Sequence, residues 1–102
     1  MAKPRITFAV KKDEQGEPVE IYLYLNAEGR DQLVSELQHL DERSDHFHMH
    51  PEDEPNPEVP MRAIAYLPSE ETVPYHVKVM SRPDEWDRQY FPHVMKDDEP
   101  SA

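Results

Sequence analysis

Three histidines recur at every second position in one short segment of the chain. His46, His48 and His50 alternate with Phe47 and Met49. Alternate residues of a β-strand point to the same side, so a strand here would place three imidazoles on one face. Imidazole nitrogens are common ligands of Zn²⁺ and of other late transition metals. The spacing therefore makes this segment the first place to look for chemistry.

The same histidine segment has a simpler structural interpretation. Phe47 and Met49 would be the buried positions of an ordinary strand, and the three histidines would form its solvated face. A metal site would need further ligands from elsewhere in the chain, and those that could supply them are His76, Glu52, Asp53 and Glu54. We favour the structural interpretation at this stage, and predict no metal ligand and no cofactor.

An acidic loop rich in proline follows the histidines. Residues 51–60 contain four prolines, together with the acids Glu52, Asp53, Glu54 and Glu58. Proline disfavours a helix or a central strand and favours an extended, stiff backbone. The loop could present carboxylates to a basic partner at a reduced entropy cost of binding, or it could serve only to keep the protein in solution. Both interpretations stay open.

A third candidate surface consists of tyrosines. Tyr22, Tyr24 and Tyr66 are predicted on one face of a sheet, and tyrosine is enriched at protein interfaces. This face could bind a partner or a second copy of the chain. Alternatively, the C-terminal segment could fold back and cover it with three aromatic residues, Trp86, Tyr90 and Phe91. The predicted partner-binding residues are Glu52, Asp53, Glu54, Tyr22, Tyr24 and Tyr66.

Motifs that indicate catalysis are missing from the sequence. The chain has no glycine-rich phosphate loop, no Gly-x-Ser-x-Gly turn and no His-Glu-x-x-His, and it contains only two glycines. Pairs of acids are common, but chance supplies them in a chain with 22 acidic residues. We therefore expect a binding protein and not an enzyme.

Composition restricts the class of partner and the compartment. The chain has 102 residues, 22 acids, 11 Lys or Arg residues and no cysteine, and its net charge is −11. This charge disfavours nucleic acid and anionic membranes, and it favours a basic protein partner. The absence of cysteine and of a long apolar segment suggests a cytoplasmic protein. Its length predicts one domain, residues 1–95, followed by a disordered acidic tail, residues 96–102.

The elements that position these residues begin with a hairpin and a helix. Alternating apolar residues predict strands at 6–10 and 19–25, joined by a turn at which Gly16 can adopt positive φ. Asn26 is a favourable N-cap for a helix that we expect to end near residue 42 or 43. Gly29 lies beside the apolar stripe of this helix and would let it approach the sheet closely.

The remaining strands complete a predicted α+β fold. Strands are expected at 45–50, 61–67 and 73–80, and a short helix capped by Ser81 follows. The predicted order is β-β-α-β-β-β, in a single mainly antiparallel sheet with one main helix on one face and a short C-terminal helix. The third strand would run parallel to the second if they share that sheet.

The two faces of the predicted sheet have different compositions. The helix is expected to cover the apolar face of the second strand through its own leucines, with Val19, Ile21, Leu23 and Leu25 packing against Leu33, Leu37 and Leu40. The opposite face would gather Thr7, Tyr22, Tyr24, Ile64, Tyr66, His76, His46 and His48. No second long helix is predicted to cover this amphipathic face.

Residues 20–50 resemble the bacterial immunity protein 32 family of polymorphic toxin systems. The similarity lies in the strand EIYLYLNAEG, the helix RDQLVSELQHL and the short strand DHFHM, and it covers about a third of the chain. This resemblance implies a protein that binds and neutralises a cognate toxin by surface complementarity. The acidic charge agrees with that implication. The alternative function is a homo-oligomeric protein whose histidine strand binds a metal.

Overall fold

The computed structural model describes residues 2–96, and these form an α+β fold with two small sheets. The elements are β1 (Ile6–Lys12), β2 (Pro18–Leu25), α1 (Ala27–Gln38), β3 (His46–Pro51), β4 (Val59–Met61), β5 (Glu70–Thr72), β6 (Val77–Met80), α2 (Asp84–Tyr90) and a 3₁₀ helix (Pro92–Met95). The first sheet has the order β2-β1-β5, and the second has the order β4-β3-β6. Neither α-helix among the described residues is long and apolar enough to cross a lipid bilayer.

The predicted hairpin of β1 and β2 is confirmed. The two strands pair in antiparallel register, with Ile6 opposite Leu25 and Val10 opposite Ile21. The turn that joins them depends on Asp13, whose Oδ1 accepts from the backbone N–H groups two and four residues further on, both at 2.9 Å. Gly16 has φ 81°, a conformation that side chains with a Cβ rarely adopt, which explains glycine at this position.

Asn26 begins α1 as predicted and also fastens the start of the chain. Its Oδ1 accepts from the backbone N–H of Gly29 at 2.7 Å and from that of Arg5 at 2.8 Å. Its Nδ2 donates to the Lys3 carbonyl oxygen at 2.8 Å. A Cβ at Gly29 would collide with the Arg5 carbonyl oxygen, so glycine permits the close approach of the helix to β1.

The helix ends at Gln38, earlier than predicted. The His39 backbone N–H still bonds the helix, but Asp41 then forms a local turn. Its Oδ1 accepts from the backbone N–H of Arg43 at 2.9 Å and of Ser44 at 2.8 Å. Aspartate competes with the helix for backbone donors in this way, and the turn redirects the chain into β3.

The hydrophobic core lies where the two sheets and α1 meet. It consists of the buried side chains of Ile6, Phe47, Met49, Val59 and Met61, against which Phe8, Leu33, Leu40, Val77 and Val79 pack. A backbone hydrogen bond of 2.7 Å from Arg62 to Ile6 joins the segment after β4 to β1. Phe47 and Met49 are buried as the strand pattern predicted.

The prediction of a single sheet is wrong. β3 pairs with β4 in parallel and with β6 in antiparallel register, and it does not share a sheet with β2. The predicted parallel arrangement of the second and third strands is therefore not formed. Each sheet has only three strands, because the prolines and turns of residues 51–76 break the predicted fourth and fifth strands into short pieces. Tyr22 and Tyr24 therefore lie in the first sheet and the histidines of β3 in the second, while Tyr66 and His76 lie outside the strands.

The predicted cover of β2 by α1 is also wrong. The four apolar residues of one β2 face are exposed, namely Val19, Ile21, Leu23 and Leu25. Of the three leucines predicted on the helix, Leu33 and Leu40 reach the core, Leu40 from beyond the end of α1, whereas Leu37 is 46% exposed. Leu33 of the helix instead packs against the core cluster that contains Phe47 and Met49.

The predicted short C-terminal helix is present as α2, but Ser81 does not cap it. The N-cap position is Pro83, which has no side chain able to accept a hydrogen bond. Ser81 instead donates its backbone N–H to the Asp45 carbonyl oxygen at 2.7 Å. Arg82 links α2 to the start of β3, since its guanidinium lies 4.4 Å from the Trp86 ring and 3.1 Å from an Asp45 oxygen. The predicted tail extends beyond Lys96, outside the described residues.

Candidate functional site

A row of four imidazoles runs along the solvent side of β3 and its neighbour β6. The ring centroids of His46 and His48 are 5.2 Å apart, those of His48 and His50 are 5.8 Å apart, and those of His50 and His76 are 4.4 Å apart. His76 precedes β6, whose register places Met49 opposite Val77. The next pair in that register is His50 with His76. The strand pattern predicted the shared face of the first three histidines, and the antiparallel pairing adds the fourth.

His50 and His76 share the carboxylate of Glu54, and the three side chains form what we call the His50–Glu54–His76 cluster. His76 Nε2 lies 2.8 Å from each oxygen of Glu54, and His50 Nδ1 lies 3.3 Å from Oε2. One nitrogen or oxygen from each residue falls within 4.8 Å of the other two. The three donors converge on one small volume, as the ligands of a metal ion do.

The His50–Glu54–His76 cluster has a firm backbone frame. Glu54 lies in a turn closed by its own N–H, which donates to the Pro51 carbonyl oxygen at 3.1 Å. The N–H of Glu52 ties the same turn to β4 through the Met61 carbonyl oxygen at 2.8 Å. The hydrogen bond from His76 is the main cause of a lowered pKa for the Glu54 carboxyl. Glu54 is therefore held in its ionised form, which is the form that binds cations.

The other two histidines of the strand have separate partners. His46 Nδ1 lies 2.8 Å from an Asp45 oxygen, and this contact is the main reason that the pKa of Asp45 is lowered. The backbone N–H of His48 donates to a carboxylate oxygen of Glu58 at 2.9 Å. Neither imidazole joins the His50–Glu54–His76 cluster, so the three histidines of β3 do not form one set of ligands.

The acidic loop divides into residues with internal contacts and residues that face solvent. Glu54 belongs to the cluster just described, and Glu58 bonds the backbone of β3. Glu52 makes a loose ion pair of 3.9 Å with Arg62. Glu52 and Asp53 are exposed. Of the predicted acidic surface, Glu52 and Asp53 are the carboxylates that are exposed and lie outside the His50–Glu54–His76 cluster.

The three predicted tyrosine anchors form a row of ring contacts with Tyr24 at its centre. The rings of Tyr24 and Tyr66 stack with centroids 4.0 Å apart, and Tyr22 meets Tyr24 edge to face at 5.9 Å. The ring that covers Tyr24 therefore comes from the segment after β4. The aromatic rings of the C-terminal segment contact one another, with Trp86 4.9 Å from Tyr90 and 5.1 Å from Phe91.

A buried carboxylate lies beneath the tyrosines. Glu70 of β5 is 5% exposed, and it accepts from the Tyr24 hydroxyl at 2.8 Å and from the backbone N–H groups of Tyr66 and Leu67 at 2.8 and 3.1 Å. Burial acts to raise the pKa of Glu70, but these hydrogen bonds more than offset it, and the pKa is lowered. Burial and the neighbouring Glu70 carboxylate raise the pKa of Tyr24 to about 12. Sequence reasoning missed Glu70, because nothing local distinguishes it from the other acids.

The exposed apolar side of β2 is a further candidate surface that sequence reasoning missed. We call Val19, Ile21, Leu23 and Leu25 the β2 face, and their exposure ranges from 37% to 71%. Within the described residues β2 pairs only with β1, so its other side is a sheet edge. The alternation of these residues was visible in the sequence, but it was interpreted as the sign of a buried face.

Comparison with known proteins identifies no relative of this chain. No protein-family model, no curated protein and no solved structure matches this chain. The function must therefore be argued from the surfaces described above.

Proposed function

We propose that this chain is a small acidic protein that binds a basic protein partner through β2. The observation that carries the proposal is an eight-residue edge strand whose four apolar side chains on one face are exposed. An exposed apolar edge strand of this length is a template for pairing with another strand, and such edges are normally covered or blocked. A partner segment added to this edge would bond the backbone of β2 and bury the β2 face.

Charge indicates the chemistry of the partner. A net charge of −11 repels a second copy of the chain and attracts a basic protein over a distance of several ångströms. The exposed carboxylates of Glu52 and Asp53 add to this field and should act mainly on the association rate. Tyr22, on the opposite side of the same strand, offers an aromatic contact at the rim of the interface.

The more specific role that we propose is neutralisation of a toxin in the cytoplasm. Its support is the resemblance of residues 20–50 to the immunity protein 32 family, together with the acidic charge. Binding alone would suffice for this role, since an inhibitor that covers its target needs no chemistry of its own. A homodimer that buries the two β2 faces is the competing arrangement.

Two charge-introducing variants test the binding surface. Ile21 and Tyr75 are almost equally exposed, at 71% and 73%, but Tyr75 lies outside β2. Ile21→Asp places a charge in the proposed interface, and Tyr75→Asp is the matched control. Each is used to capture proteins from the source cells, and hydrogen exchange is then measured on the isolated complexes.

The proposal expects a basic protein that is retained by the wild type and by Tyr75→Asp and lost by Ile21→Asp. Binding should slow amide exchange in β2 and weaken as salt is added. Equal capture by Ile21→Asp would refute the assignment of the surface. Protection of β2 amides in the purified chain alone, with a doubled mass in solution, would replace the basic partner by a second copy.

The toxin role is tested separately by growth. The captured protein should arrest growth when expressed alone, and co-expression of this chain, but not of Ile21→Asp, should restore it. A captured protein that binds through β2 and has no effect on growth would remove the toxin role and leave the binding proposal intact.

A further inference from the structure

Beyond protein binding, we propose that the His50–Glu54–His76 cluster is a site for a divalent late transition metal, of which Zn²⁺ is the representative. Two imidazoles and one carboxylate form a ligand set that suits this class of ion, and alkaline-earth ions prefer oxygen ligands alone. The residues come from the end of β3, from the turn that follows it and from the residue before β6. A bound metal would thus fasten the acidic loop to the second sheet.

Two of the three donor separations are near those of a tetrahedral ion, and the third is within 4.8 Å. Zn²⁺ binds imidazole nitrogen at about 2.0–2.1 Å, so neighbouring ligand atoms of a tetrahedral site are about 3.3 Å apart. The cluster has 2.8 Å between His76 Nε2 and Glu54 and 3.3 Å between His50 Nδ1 and Glu54. Small rotations of the side chains would centre the three donor atoms on one ion. Three protein ligands leave the fourth position of a tetrahedral ion open to water or to an external ligand.

The surroundings also favour a cation. The side chain of His50 is only 20% exposed, and β3 is the central strand of its sheet, paired with β4 at His50 and with β6 as far as Met49. The turn carrying Glu54 is fixed by hydrogen bonds to Pro51 and, through Glu52, to β4. Ligands held in this way lose little freedom when the metal binds. The exposed carboxylates of Glu52 and Asp53 add negative charge close by.

The chain offers a matched control for the ligand assignment. His48 lies on the same strand and has the same side-chain type as His50, but its imidazole is outside the cluster. We therefore compare His76→Gln, Glu54→Gln and His48→Gln with the wild type. His76 and Glu54 are at least 40% exposed, so neither substitution removes core packing. The protein is used without a histidine tag, since a tag would bind the same ions.

Titration calorimetry with ZnCl₂ measures the affinity and the stoichiometry of Zn²⁺ binding. Thermal unfolding with and without Zn²⁺ measures the shift in melting temperature. The wild type and His48→Gln should bind one Zn²⁺ per chain at micromolar concentration, with a rise in melting temperature that MgCl₂ does not produce. His76→Gln and Glu54→Gln should bind Zn²⁺ about 10- to 100-fold more weakly or worse. A loss of that size is typical even for residues that only hold a metal ligand in place. Co²⁺ in place of Zn²⁺ should give the visible absorption of a tetrahedral site in the wild type, and His76→Gln should lose it.

Two outcomes would refute the assignment of the His50–Glu54–His76 cluster as a metal site. The first is the absence of saturable Zn²⁺ binding by the wild type at micromolar concentration. The second is an equal loss of affinity in His48→Gln and His76→Gln, which would assign the metal to the exposed strand histidines in general. All of these metal-binding measurements use the free chain, so their results do not depend on whether β2 binds a partner.

Discussion

Two strands of this protein carry similar apolar patterns and have opposite surroundings. In β3, Phe47 and Met49 alternate with histidines and are 5% and 0% exposed. In β2, Ile21 and Leu23 alternate with tyrosines and are 71% and 42% exposed. The strands differ in their neighbours, since β3 is central in its sheet and β2 is at an edge. The alternation of apolar residues thus specifies which side chains share a face, but it does not specify whether anything covers that face.

The apolar faces of β3 and β2 differ in exposure because different numbers of side chains pack against them. Phe47 and Met49 are buried by Ile6 of β1, by Val59 and Met61 of β4, and by the helix residue Leu33. Within α1 only Leu33 packs against this core, and Val34 and Leu37 are exposed without covering the β2 face. In a chain with 36% hydrophobic residues, the second apolar face remains exposed and becomes the strongest candidate for an interface.

The largest expected loss of stability is in β3, whose apolar face is buried. Met49→Ala should lower the free energy of unfolding by about 2–5 kcal/mol, because it removes a fully buried side chain and leaves a cavity. Denaturant unfolding followed by circular dichroism measures this change. Met49→Leu conserves the volume and should cost less than about 1.5 kcal/mol. A loss below about 1 kcal/mol for Met49→Ala would contradict the packing of β3 into the core.

A smaller effect, with a distinct pH dependence, is expected on the tyrosine side of the first sheet. The pKa of Glu70 is lowered from its usual value of 4.5, so its contribution to stability is complete above pH 4.5 and is lost as the pH falls through the lowered pKa. Glu70→Gln should lower the melting temperature at neutral pH, and its difference from the wild type should shrink in acid. Melting curves between neutral and acidic pH measure this.

One control accompanies the Glu70 experiment. Glu71→Gln changes the neighbouring carboxylate, which is exposed and pairs with Lys12 at the surface, and it should change the melting temperature little. A difference between Glu70→Gln and the wild type that grows in acid would show that the bonds from Tyr24, Tyr66 and Leu67 do not favour the charged carboxylate.

A substitution at Thr7 is expected to stabilise the protein, whereas the preceding substitutions are expected to destabilise it. Its side chain is fully buried on the same side as Tyr24, and its Oγ1 has no hydrogen-bond partner among residues 2–96. Thr7→Val keeps the shape and removes this unpaired hydroxyl, so it should raise the free energy of unfolding by about 1 kcal/mol. Thr7→Ser keeps the hydroxyl, loses a methyl group and should cost about 0.8 kcal/mol. Destabilisation by Thr7→Val would reveal a partner for the hydroxyl.

The smallest effect is expected on the uncovered strand. Ile21→Thr should change the free energy of unfolding by no more than about 0.5 kcal/mol, because Ile21 is exposed and threonine suits a strand. The same substitution at buried Ile6 should cost about 2 kcal/mol or more. Parallel denaturant titrations give both values. Equal losses at the two positions would mean that β2 is covered in solution.

The candidate sites were visible from the sequence only in part. The histidine spacing and the possible contributions of Glu54 and His76 are evident in the sequence, but nothing in it separates His50 from His46 and His48. That separation depends on the register of β3 with β6, which places His76 opposite His50 alone. Glu70 could not be distinguished from other acids, because its donors come from β2 and from the turn after residue 65.

Local interactions are what the sequence by itself determined. The turn at Asp13 and Gly16, the start of α1 at Asn26 and the alternation along β3 each depend on residues a few positions apart, and all appear in the structure. The overall acidic charge is likewise a property of composition alone. The turn and the helix start form wherever the chain lies, because their hydrogen bonds join residues two to four positions apart, and the alternation along β3 follows from strand geometry.

The tertiary structure alone decided how the strands divide into two sheets and which apolar face is buried. Ile6, Met49 and Val59 are far apart along the chain, and many strand pairings would bury a similar number of apolar residues. The choice among them depends on how well the side chains of distant segments fill the same space. For the same reason, only the folded chain brings His50, Glu54 and His76 together and leaves the β2 face open to a partner.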